Sequence, residues 1–552
     1  MREYLNDISE ANRRLGMRLR ADPKTRWAMI PGDWRFHPYL FLALATLIVA
    51  ALLAIGAFAW WANRVVFDDA YISYRYAENL IKGNGLVYNP GERVEGYTNF
   101  LWVLIGAAAL AIGWDASEAT QYLGVAAYLV TLAITSIFFL IKVVERRVTP
   151  LLLLPFLLTL VLPGGYAASS GSGLETSFVA LLLLAMGYFR YIHQPSSRFG
   201  RSAMLLLPSV ACLTRVESVL AVFARAVATV VYERRLRRSF RSALSRTALE
   251  VAPTVFVVLG YLGWKLSYYG DILPNSYYAK GADQFNFAAG FLYLKAFCQS
   301  NPQVFPLFVL IAIGWISLKS ARTAAFYTYG SITIVLYLSY IVKVGGDFMQ
   351  YRFVWQLYPL YVVLSIVGLA SVTRNTVAVA LLLSATVVMG SVHDVVLEKR
   401  YGMQSLEEMN RYATEGREIG PLLSKLLPEK TVIATTLAGT MAYRSRLKII
   451  DQWGLNDSYV RHYPRPHNYF RGHRKYATDE HLKKRGVSLC FAHPVVCKCS
   501  ALCKQNLPNV FIRMGDNRCL RSWYFQQKDQ LTEYFCEHPQ WFILHNVECK
   551  RR

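Results

Sequence analysis

Long apolar runs alternate with short polar connections from residue 39 to residue 392. A helix needs about 20 apolar residues to cross a bilayer squarely, so most of these runs predict transmembrane helices. Runs of about 10 to 14 residues are more often re-entrant or interfacial, which makes 100–113 and 203–214 the doubtful members. The candidate spans are 39–61, 100–113, 121–142, 150–163, 174–192, 203–214, 217–232, 248–267, 303–318, 323–343, 353–372 and 376–392.

The pattern changes after residue 392, where polar sequence alternates with short apolar runs. Helical polar sequence extends from Ser405 to Leu427, and a β-branched run follows at 431–436. A second short run, 447–451, comes after a break that contains glycine, so the two runs predict strands around a helix. The segment 393–552 therefore predicts a small mixed α/β domain.

The composition indicates an integral membrane protein. Of the 552 residues, 54% are hydrophobic and 17% are charged, and the mean hydropathy is +0.26, well above that of an ordinary soluble protein. A formal net charge of +24 could suggest nucleic acid, but the arginine clusters lie largely between apolar runs, as at 233–241. The positive-inside rule explains that placement better, with attraction to anionic lipid as a second contribution. We therefore expect no nucleic-acid partner.

The charge pattern also predicts the topology. Residues 1–38 are polar and basic and too numerous for the charged region of a cleaved signal peptide, so we expect an uncleaved cytoplasmic segment. With the arginine clusters cytoplasmic and the tail outside, the chain needs an odd number of crossings, and about eleven fits if 100–113 does not span. The predicted fold is an α-helical polytopic membrane protein, with a transmembrane domain at 39–392 and an extracytoplasmic α/β domain at 393–552. Its polar, glycine-rich connections then converge on the external face.

Cysteines are concentrated near the end of the chain. Their density predicts disulfides and hence an oxidising, extracytoplasmic location. Zinc is the alternative, although Cys497-x-Cys499-x3-Cys503 lacks the paired spacing of common zinc modules. The number in the tail is odd, so one thiol could be free. The tail cysteines are Cys490, Cys497, Cys499, Cys503, Cys519, Cys536 and Cys549.

A polar, aromatic and glycine-rich loop, 62–100, follows the first apolar run. It contains two adjacent carboxylates, Asp68 and Asp69, near the expected membrane surface. An ionised group there is costly unless it faces water, a cation or a substrate. One of the two could instead cap a helix that begins at Ala70, because aspartate is a favoured N-cap residue. We interpret the pair as candidate chemistry.

Several motifs of this loop resemble one known family. DDAYI at 68–72, RY at 75–76 and GNGLVYNPGERVEGYT at 83–98 resemble the first external loop of GT-C polytopic membrane glycosyltransferases. The best-known members are the mycobacterial terminal β-(1→2)-arabinofuranosyltransferases, with a wider group of bacterial relatives. At Val216 the relatives more often have proline. Further blocks resemble the family at 172–176, 213–217, 268–280, 345–352 and 451–457.

The resemblance implies transfer of a sugar, with arabinofuranose as one candidate, from a polyprenyl-phosphate donor to a glycan, lipid or protein acceptor. It implies a bacterial inner (plasma) membrane location, with the site on the extracytoplasmic side. An acceptor hydroxyl is a poor nucleophile at neutral pH, so a carboxylate is needed as a base or to stabilise an oxocarbenium-like centre. Asp69 and Asp68 are the catalytic candidates, with Asp69 ahead because it is the less suited to capping.

Three basic residues beside predicted external membrane boundaries are candidates for binding the donor phosphate: Lys280, Arg352 and Arg215. Phosphate is already a good leaving group, so cations matter more than a general acid. Each of the three could instead snorkel or pair with a neighbour such as Glu217.

Four further residues are candidate substrate contacts: Glu175, Asp347, Tyr71 and His473. Glu175 could orient sugar hydroxyls or start a helix, and Asp347 could be a second carboxylate or a cap. Tyr71 could stack on a sugar, although tyrosine is also usual at membrane interfaces, and His473 could contact the acceptor or be a plain surface residue. No metal motif is evident. The adjacent aspartates could hold a divalent cation with the donor phosphate, which the sequence neither requires nor excludes.

Two other functions fit the same membrane setting. A transporter or flippase of lipid-linked glycan also needs basic residues at membrane boundaries. Transporters, however, tend to place charges near the midplane and to show repeated halves, and neither feature is evident here. An oligosaccharide ligase or polymerase differs by using a diphosphate-linked donor, and the sequence does not exclude it.

Overall fold

The computed structural model describes residues 38–144, 153–281, 285–370, 381, 384–386, 403–462, 475–491, 496–498, 509–515, 518–524 and 530–545. Nearly all of the predicted cytoplasmic segment 1–38 and most of the candidate span 376–392 lie outside these residues, as does His473.

Helices make up the part of the chain that was predicted to be transmembrane. An α-helix forms all of its backbone hydrogen bonds within itself, so an apolar run that is helical leaves no backbone donor or acceptor unpaired in lipid. A π-helical turn, Tyr188–Ile192, extends one helix, and a 3₁₀ turn, Val216–Ser218, separates two others. The helices are α1 (Pro38–Ala62), α2 (Ala70–Ile81), α3 (Phe100–Ala111), α4 (Ala116–Val144), α5 (Leu153–Val161), α6 (Gly164–Ser170), α7 (Thr176–Gly187), α8 (Arg198–Thr214), α9 (Val219–Arg235), α10 (Phe240–Tyr269), α11 (Asn275–Ala279), α12 (Phe287–Ser300), α13 (Val304–Ile316), α14 (Ala321–Val344), α15 (Arg352–Trp355) and α16 (Tyr358–Leu369).

Four of the described helices are long and apolar enough to cross a membrane: α1 from Ala45, most of α4, α10 and α14. The consecutive helices α12 and α13 give a fifth span if they are counted as one, and they meet at an angle of 100°. The run 100–113, predicted not to span, forms the 12-residue helix α3. Because several other helices are short, the number of crossings, about eleven by the charge pattern, stays a prediction.

Two helices of one connection were not expected. The connection 268–300 was predicted only as an external segment, but it contains the short helix α11 and the longer helix α12, and α12 packs against α14. Polar residues such as Lys295 and Gln299 interrupt the apolar pattern there, so the sequence offered no long run to recognise.

A seven-stranded sheet forms the centre of the C-terminal domain. Its order is β2-β1-β3-β6-β5-β7, with β4 paired to β6, and only the β1–β2 and β1–β3 pairs are parallel. The predicted strands at 431–436 and 447–451 are confirmed as β1 and β2, on either side of a short helix. The described elements are α17 (Leu406–Leu426), β1 (Val432–Thr435), α18 (Thr440–Ser445), β2 (Lys448–Asp451), α19 (Asp479–Lys484), β3 (Leu489–Phe491), β4 (Val496–Lys498), β5 (Asn509–Gly515), β6 (Arg518–Tyr524), α20 (Gln530–Glu537) and β7 (Phe542–His545).

Among the tail cysteines, Cys519 and Cys536 are disulfide-bonded, whereas Cys490 is a buried free thiol. The side chains of the other tail cysteines lie outside the described part of the chain. The oxidising location that their density suggests stays a prediction.

The first loop and the C-terminal domain share one hydrophobic core. Ile72 and Tyr76 of α2 belong to the same buried cluster as Ile433 of β1 and Ile449 of β2. Full burial of an aliphatic side chain of this size contributes about 1.5–3 kcal/mol. The sheet is therefore docked directly on the first loop, 62–100, through its helix α2.

Two charged residues of the first loop hold opposite ends of α18. The Asp68 carboxylate accepts hydrogen bonds from the backbone N–H groups of Gly439 (2.9 Å) and Thr440 (2.7 Å). The buried Arg75 guanidinium donates to the carbonyl oxygens of Ala442 and Leu447, the latter at 2.8 Å. An anion at the helix start and a cation at its end also complement the helix dipole. We call these contacts the α18 clasp.

The α18 clasp leaves no room for a side chain at Gly439. A Cβ atom there would lie 1.8 Å from the backbone oxygen of Asp68. We expect Gly439→Ala to lower the free energy of unfolding by about 1–3 kcal/mol, the usual cost of overpacking. The unfolding temperature of the purified protein in detergent, followed by tryptophan fluorescence, measures this. Gly260→Ala in α10 is the control, because its Cβ would meet nothing within 4 Å. Equal unfolding temperatures for both variants would contradict the docking.

Candidate functional site

A cavity of about 330 Å³ lies where several of the connections that were predicted to be external meet. We call it the central cavity. It brings together most of the charged residues predicted from sequence, although they come from connections far apart in the chain. Those lining it are Asp69, Glu175, Arg215, Lys280, Asp347 and Arg352.

Asp69 lies at the start of α2 but does not cap it. Its backbone is helical and its side chain makes no capping hydrogen bond. No hydrogen bond or ion pair of this carboxylate is found within the described residues, and the side chain is half-buried. Burial raises the pKa of Asp69, while the positive charges of Lys280 and Arg352 oppose that rise. The result is an unengaged carboxylate, held close to two cations.

Lys280 follows the short helix α11 and is half-buried. Its ammonium group lies 5.9 Å from the ring centre of Phe348. It forms no ion pair with any carboxylate of the described chain. A cation placed in a cavity without an anionic partner is suited to an anionic ligand.

A tight turn places Asp347 and Arg352 on the cavity wall. Gly345 and Gly346 adopt φ values of +89° and +80°, which a residue with a side chain would reach only under strain. Tyr351, just before Arg352, also has a positive φ of +51°, a conformation that is costly for a bulky residue and that the surrounding structure must therefore hold in place.

Asp347 and Arg352 form a buried ion pair within this turn. The Nη2 atom of Arg352 lies 2.7 Å from Oδ2 of Asp347, and Oδ1 accepts a hydrogen bond from the N–H of Phe348. Burial acts to raise the pKa of Asp347, but Arg352 and Lys280 outweigh it and the pKa is lowered. Asp347 is therefore ionised. The Nε of Arg352 has no hydrogen-bond partner among the described residues, so it keeps a donor available.

Another part of the cavity lining is a set of connected polar side chains, which we call the polar wall. Arg215 binds Glu217 (2.6 Å) and Glu175 (3.1 Å) at once. The other oxygen of Glu175 accepts a hydrogen bond from Asn99 (2.7 Å), and Asn99 accepts one from Ser73 (3.0 Å). Arg215 is thus engaged by two carboxylates. This is the alternative to phosphate binding that the nearby Glu217 had suggested.

A second cavity, of about 260 Å³, lies between the first loop and the C-terminal domain. We call it the outer cavity. Asp69, Ile72 and Leu455 line both cavities, so Asp69 stands at their junction. Burial raises the pKa of Asp451 to about 6, although the N–H groups of Asn456 and Trp453 act to lower it. The outer cavity is otherwise rich in aromatic and polar side chains: Gln404, Tyr412, Thr436, Trp453 and Tyr476.

Three predicted site residues are placed differently from the rest. Asp68 faces the outer cavity, but both its carboxylate oxygens are bonded to α18. Tyr71 is buried and lines neither of the two cavities; its ring packs 5.1 Å from Tyr74 and 5.6 Å from Tyr443. His473 lies outside the described residues.

Sequence reasoning missed two members of the polar wall, Ser73 and Asn99. Asn99 immediately precedes the apolar run of α3, where an asparagine is ordinarily read as a helix cap. The structure shows no side-chain capping bond from Asn99. Its position directly after the loop motif at 83–98 is the only sequence signal that could have identified it.

No group of three or more His, Cys, Asp or Glu side chains is arranged to hold a metal ion in the part of the chain that is described. The two adjacent aspartates diverge, since Asp68 turns to α18 and Asp69 to the central cavity.

Comparison with known proteins extends these observations. A family described as a domain of unknown function (DUF8728) matches residues 404–544. Two curated relatives are named terminal beta-(1->2)-arabinofuranosyltransferase. The one from Mycobacterium tuberculosis is 26% identical over 363 residues, which cover 59% of this chain and 55% of the relative. The one from Corynebacterium glutamicum is 27% identical over 358 residues, which cover 58% and 50%. The chain thus spans about half the length of these relatives.

The fold matches crystal structures of ArnT from Cupriavidus metallidurans. The structure bound to undecaprenyl phosphate gives a TM-score of 0.54 at 12% identity and covers 86% of this chain and 98% of ArnT. The apo structure gives 0.51 at 12% identity, with 87% and 98% covered. The resemblance predicted from the first loop is confirmed. This chain is a multi-pass membrane protein with the GT-C fold of ArnT, and its sequence resembles the terminal β-(1→2)-arabinofuranosyltransferases.

Proposed function

We propose that the protein is a membrane glycosyltransferase, which transfers a sugar from a polyprenyl-phosphate donor to a glycan, lipid or protein acceptor. The observation that carries the proposal is the environment of Asp69. This carboxylate is unengaged, borders both cavities and lies near the cations Lys280 and Arg352. A base between a donor pocket and an acceptor pocket is what direct transfer of a sugar requires.

The central cavity is the proposed donor site. Lys280 and Arg352 supply the positive charge that a lipid phosphate needs. Apolar side chains such as Val219, Val344 and Phe353 line the same cavity, and Val219 is half exposed on the outer surface of α9. A polyprenyl chain could therefore leave the cavity along apolar surface. The ArnT structure that shares the fold holds undecaprenyl phosphate, which supports this class of donor.

The outer cavity is the proposed acceptor site. Its aromatic rings, Trp453 and Tyr476 among them, can stack on sugar faces, and its polar groups can bind hydroxyls. An acceptor hydroxyl that enters from this side meets Asp69 where the two cavities join. Its oxygen then bonds to the anomeric carbon of the donor sugar while the bond from that carbon to the phosphate oxygen breaks. The hydroxyl proton passes to Asp69, and Lys280 and Arg352 balance the charge on the departing lipid phosphate.

Asp68 has a different part in this proposal. Its carboxylate is occupied by two backbone N–H groups, so it fixes the first loop rather than reacting. Glu175 and Asp347 remain proposed substrate contacts, and Arg215 is proposed to hold Glu175 rather than to bind phosphate. We place the protein in a bacterial inner membrane with the site and the C-terminal domain outside the cytoplasm, in keeping with the arginine clusters.

A panel of labelled donors tests the function. Membranes that contain the protein are given polyprenyl-phosphate monosaccharides, arabinofuranose included, and a polyprenyl-diphosphate oligosaccharide. We expect label to move from a phosphate-linked monosaccharide to an acceptor. Transfer of a whole oligosaccharide from the diphosphate donor would instead identify a ligase or polymerase. Movement of an intact labelled lipid between leaflets without transfer would identify a flippase.

A further inference from the structure

We infer that Asn99 is a positioning residue that sets which donor sugar the site accepts, because it fixes the carboxylate of Glu175. The inference rests on the proposed function and concerns the polar wall of the central cavity. Asn99 itself has no direct part in the transfer chemistry.

Four side chains are joined by a continuous series of hydrogen bonds. Ser73 Oγ donates to Asn99 Oδ1 at 3.0 Å, and Asn99 Nδ2 donates to Glu175 Oε2 at 2.7 Å. Glu175 Oε1 accepts from Arg215 Nη1 at 3.1 Å. All four side chains are buried, and all four residues line the central cavity.

Two anchors are needed to fix Glu175. The terminal torsion of a glutamate side chain is broad and weakly restrained on its own. Arg215 holds only one oxygen of Glu175, and it also binds Glu217 through Nε and Nη2. The bond from Asn99 holds the second oxygen and thereby sets the plane of the carboxylate. The remaining lone pairs of that carboxylate are then available in a fixed direction within the cavity.

Asparagine is suited to this position because its amide group can accept one hydrogen bond and donate another. Ser73 donates to the amide oxygen, so the amide nitrogen is the atom left to face Glu175. Aspartate would place a second carboxylate against Glu175 and repel it. The usual reason for an asparagine at this place, capping of α3, does not apply, because its side chain makes no capping bond.

When the Glu175 carboxylate is held in one orientation, it can accept a hydrogen bond from one particular hydroxyl of the donor sugar. When a buried polar group loses its substrate hydroxyl it is left unpaired, and such sites can reject an analogue without that hydroxyl by as much as about 10⁴-fold. If the carboxylate can turn, it can find another partner and the rejection weakens. Loosening Glu175 should therefore change the preference among sugars more than the rate for the best one.

The test compares each polyprenyl-phosphate sugar of the panel with its monodeoxy analogues. For each variant, the ratio of kcat/KM for the parent sugar to that for the analogue is measured. We expect Asn99→Ala to lower the largest of these ratios at least 10-fold, and Ser73→Ala to lower it by a smaller factor. Ser117→Ala is the matched control, because Ser117 is also a buried hydroxyl but bonds Tyr71, which lies outside both cavities.

A second variant separates positioning from damage to the fold. In Asn99→Asp the ratio should be low at neutral pH and should recover on acidification, when a shared proton restores the bond to Glu175. Because parent and analogue depend on Asp69 equally, the loss of base at low pH cancels in the ratio. Equal losses for parent and analogue in Asn99→Ala, with an unchanged ratio, would overturn the inference. If wild type neither binds nor transfers any donor of the panel, the proposed function fails, and this inference fails with it.

Discussion

Asp69→Asn is expected to lower kcat for sugar transfer by roughly 10²- to 10⁴-fold, the range that a positioned general base contributes. An amide cannot take the proton of the acceptor hydroxyl, yet it has almost the same shape as the carboxylate. Asp69 makes no side-chain hydrogen bond within the described residues, so the fold loses no contact when it is changed. The donor should still bind, because Lys280 and Arg352 are untouched.

Rates of transfer under saturating donor, together with the unfolding temperature, check this result. Glu118→Gln is the control: it removes a carboxylate from an exposed position in the first turn of α4, away from both cavities. A variant at Asp69 that unfolds normally and still transfers sugar at the wild-type rate would show that this carboxylate is not the base. The variant Asp68→Asn should behave differently from Asp69→Asn. Loss of the Asp68 charge weakens the α18 clasp, so Asp68→Asn should lower the unfolding temperature as well as the rate of transfer.

Lys280→Gln is expected to lower kcat/KM for the donor by roughly 10- to 150-fold, which corresponds to the 1.5–3 kcal/mol of a hydrogen bond to a charged group. Arg352 shares its charge with Asp347 and Arg215 shares its charge with two glutamates. Lys280 is thus the cation of the cavity that forms no ion pair with a described carboxylate, and its loss should act mainly through KM.

The same variant should move the pH profile in a defined direction. Lys280 lowers the pKa of Asp69, so its removal raises that pKa further. A base works only when it is deprotonated, so the acid limb of kcat/KM should shift to higher pH. Lys295→Gln, at an exposed position of α12, should change neither kcat/KM for the donor nor the pH of its acid limb. An unshifted acid limb in Lys280→Gln would mean that Lys280 and Asp69 are not coupled.

The sequence predicted much of the site because its motifs lie at the ends of helices. Glu175, Arg215 and Arg352 each border an apolar run, and runs that cross a membrane bring such ends to a common surface. Lys280 lies within the connection 268–300, in one of the blocks that resemble the family. The strands β1 and β2 were likewise predictable from β-branched runs separated by a glycine-containing break. These inferences used only the order of polar and apolar residues near each position.

What the sequence could not supply is the partner of each side chain. Asp68 and Asp69 are adjacent and identical, and only the fold shows that one bonds Thr440, 372 residues later, while the other stays unengaged. Tyr71 was a candidate for stacking on a sugar or for the membrane interface, because the packing of Tyr443 against it depends on the docking of the C-terminal domain. The number of crossings stays open for a related reason: several apolar helices are short, and length is what distinguishes a span from a re-entrant piece.

The α18 clasp has a consequence for how the protein is made. The first loop leaves the ribosome long before the residues that hold it, and at 5–20 residues per second the interval of 372 residues takes roughly 20–70 s. During that time Asp68 and Arg75 have no helix to bind and Asp69 has no finished pocket. A nascent chain is therefore unable to act on the lipid around it, and competence for transfer arrives only when translation has passed residue 451, the end of β2, and β1, α18 and β2 have closed over the loop.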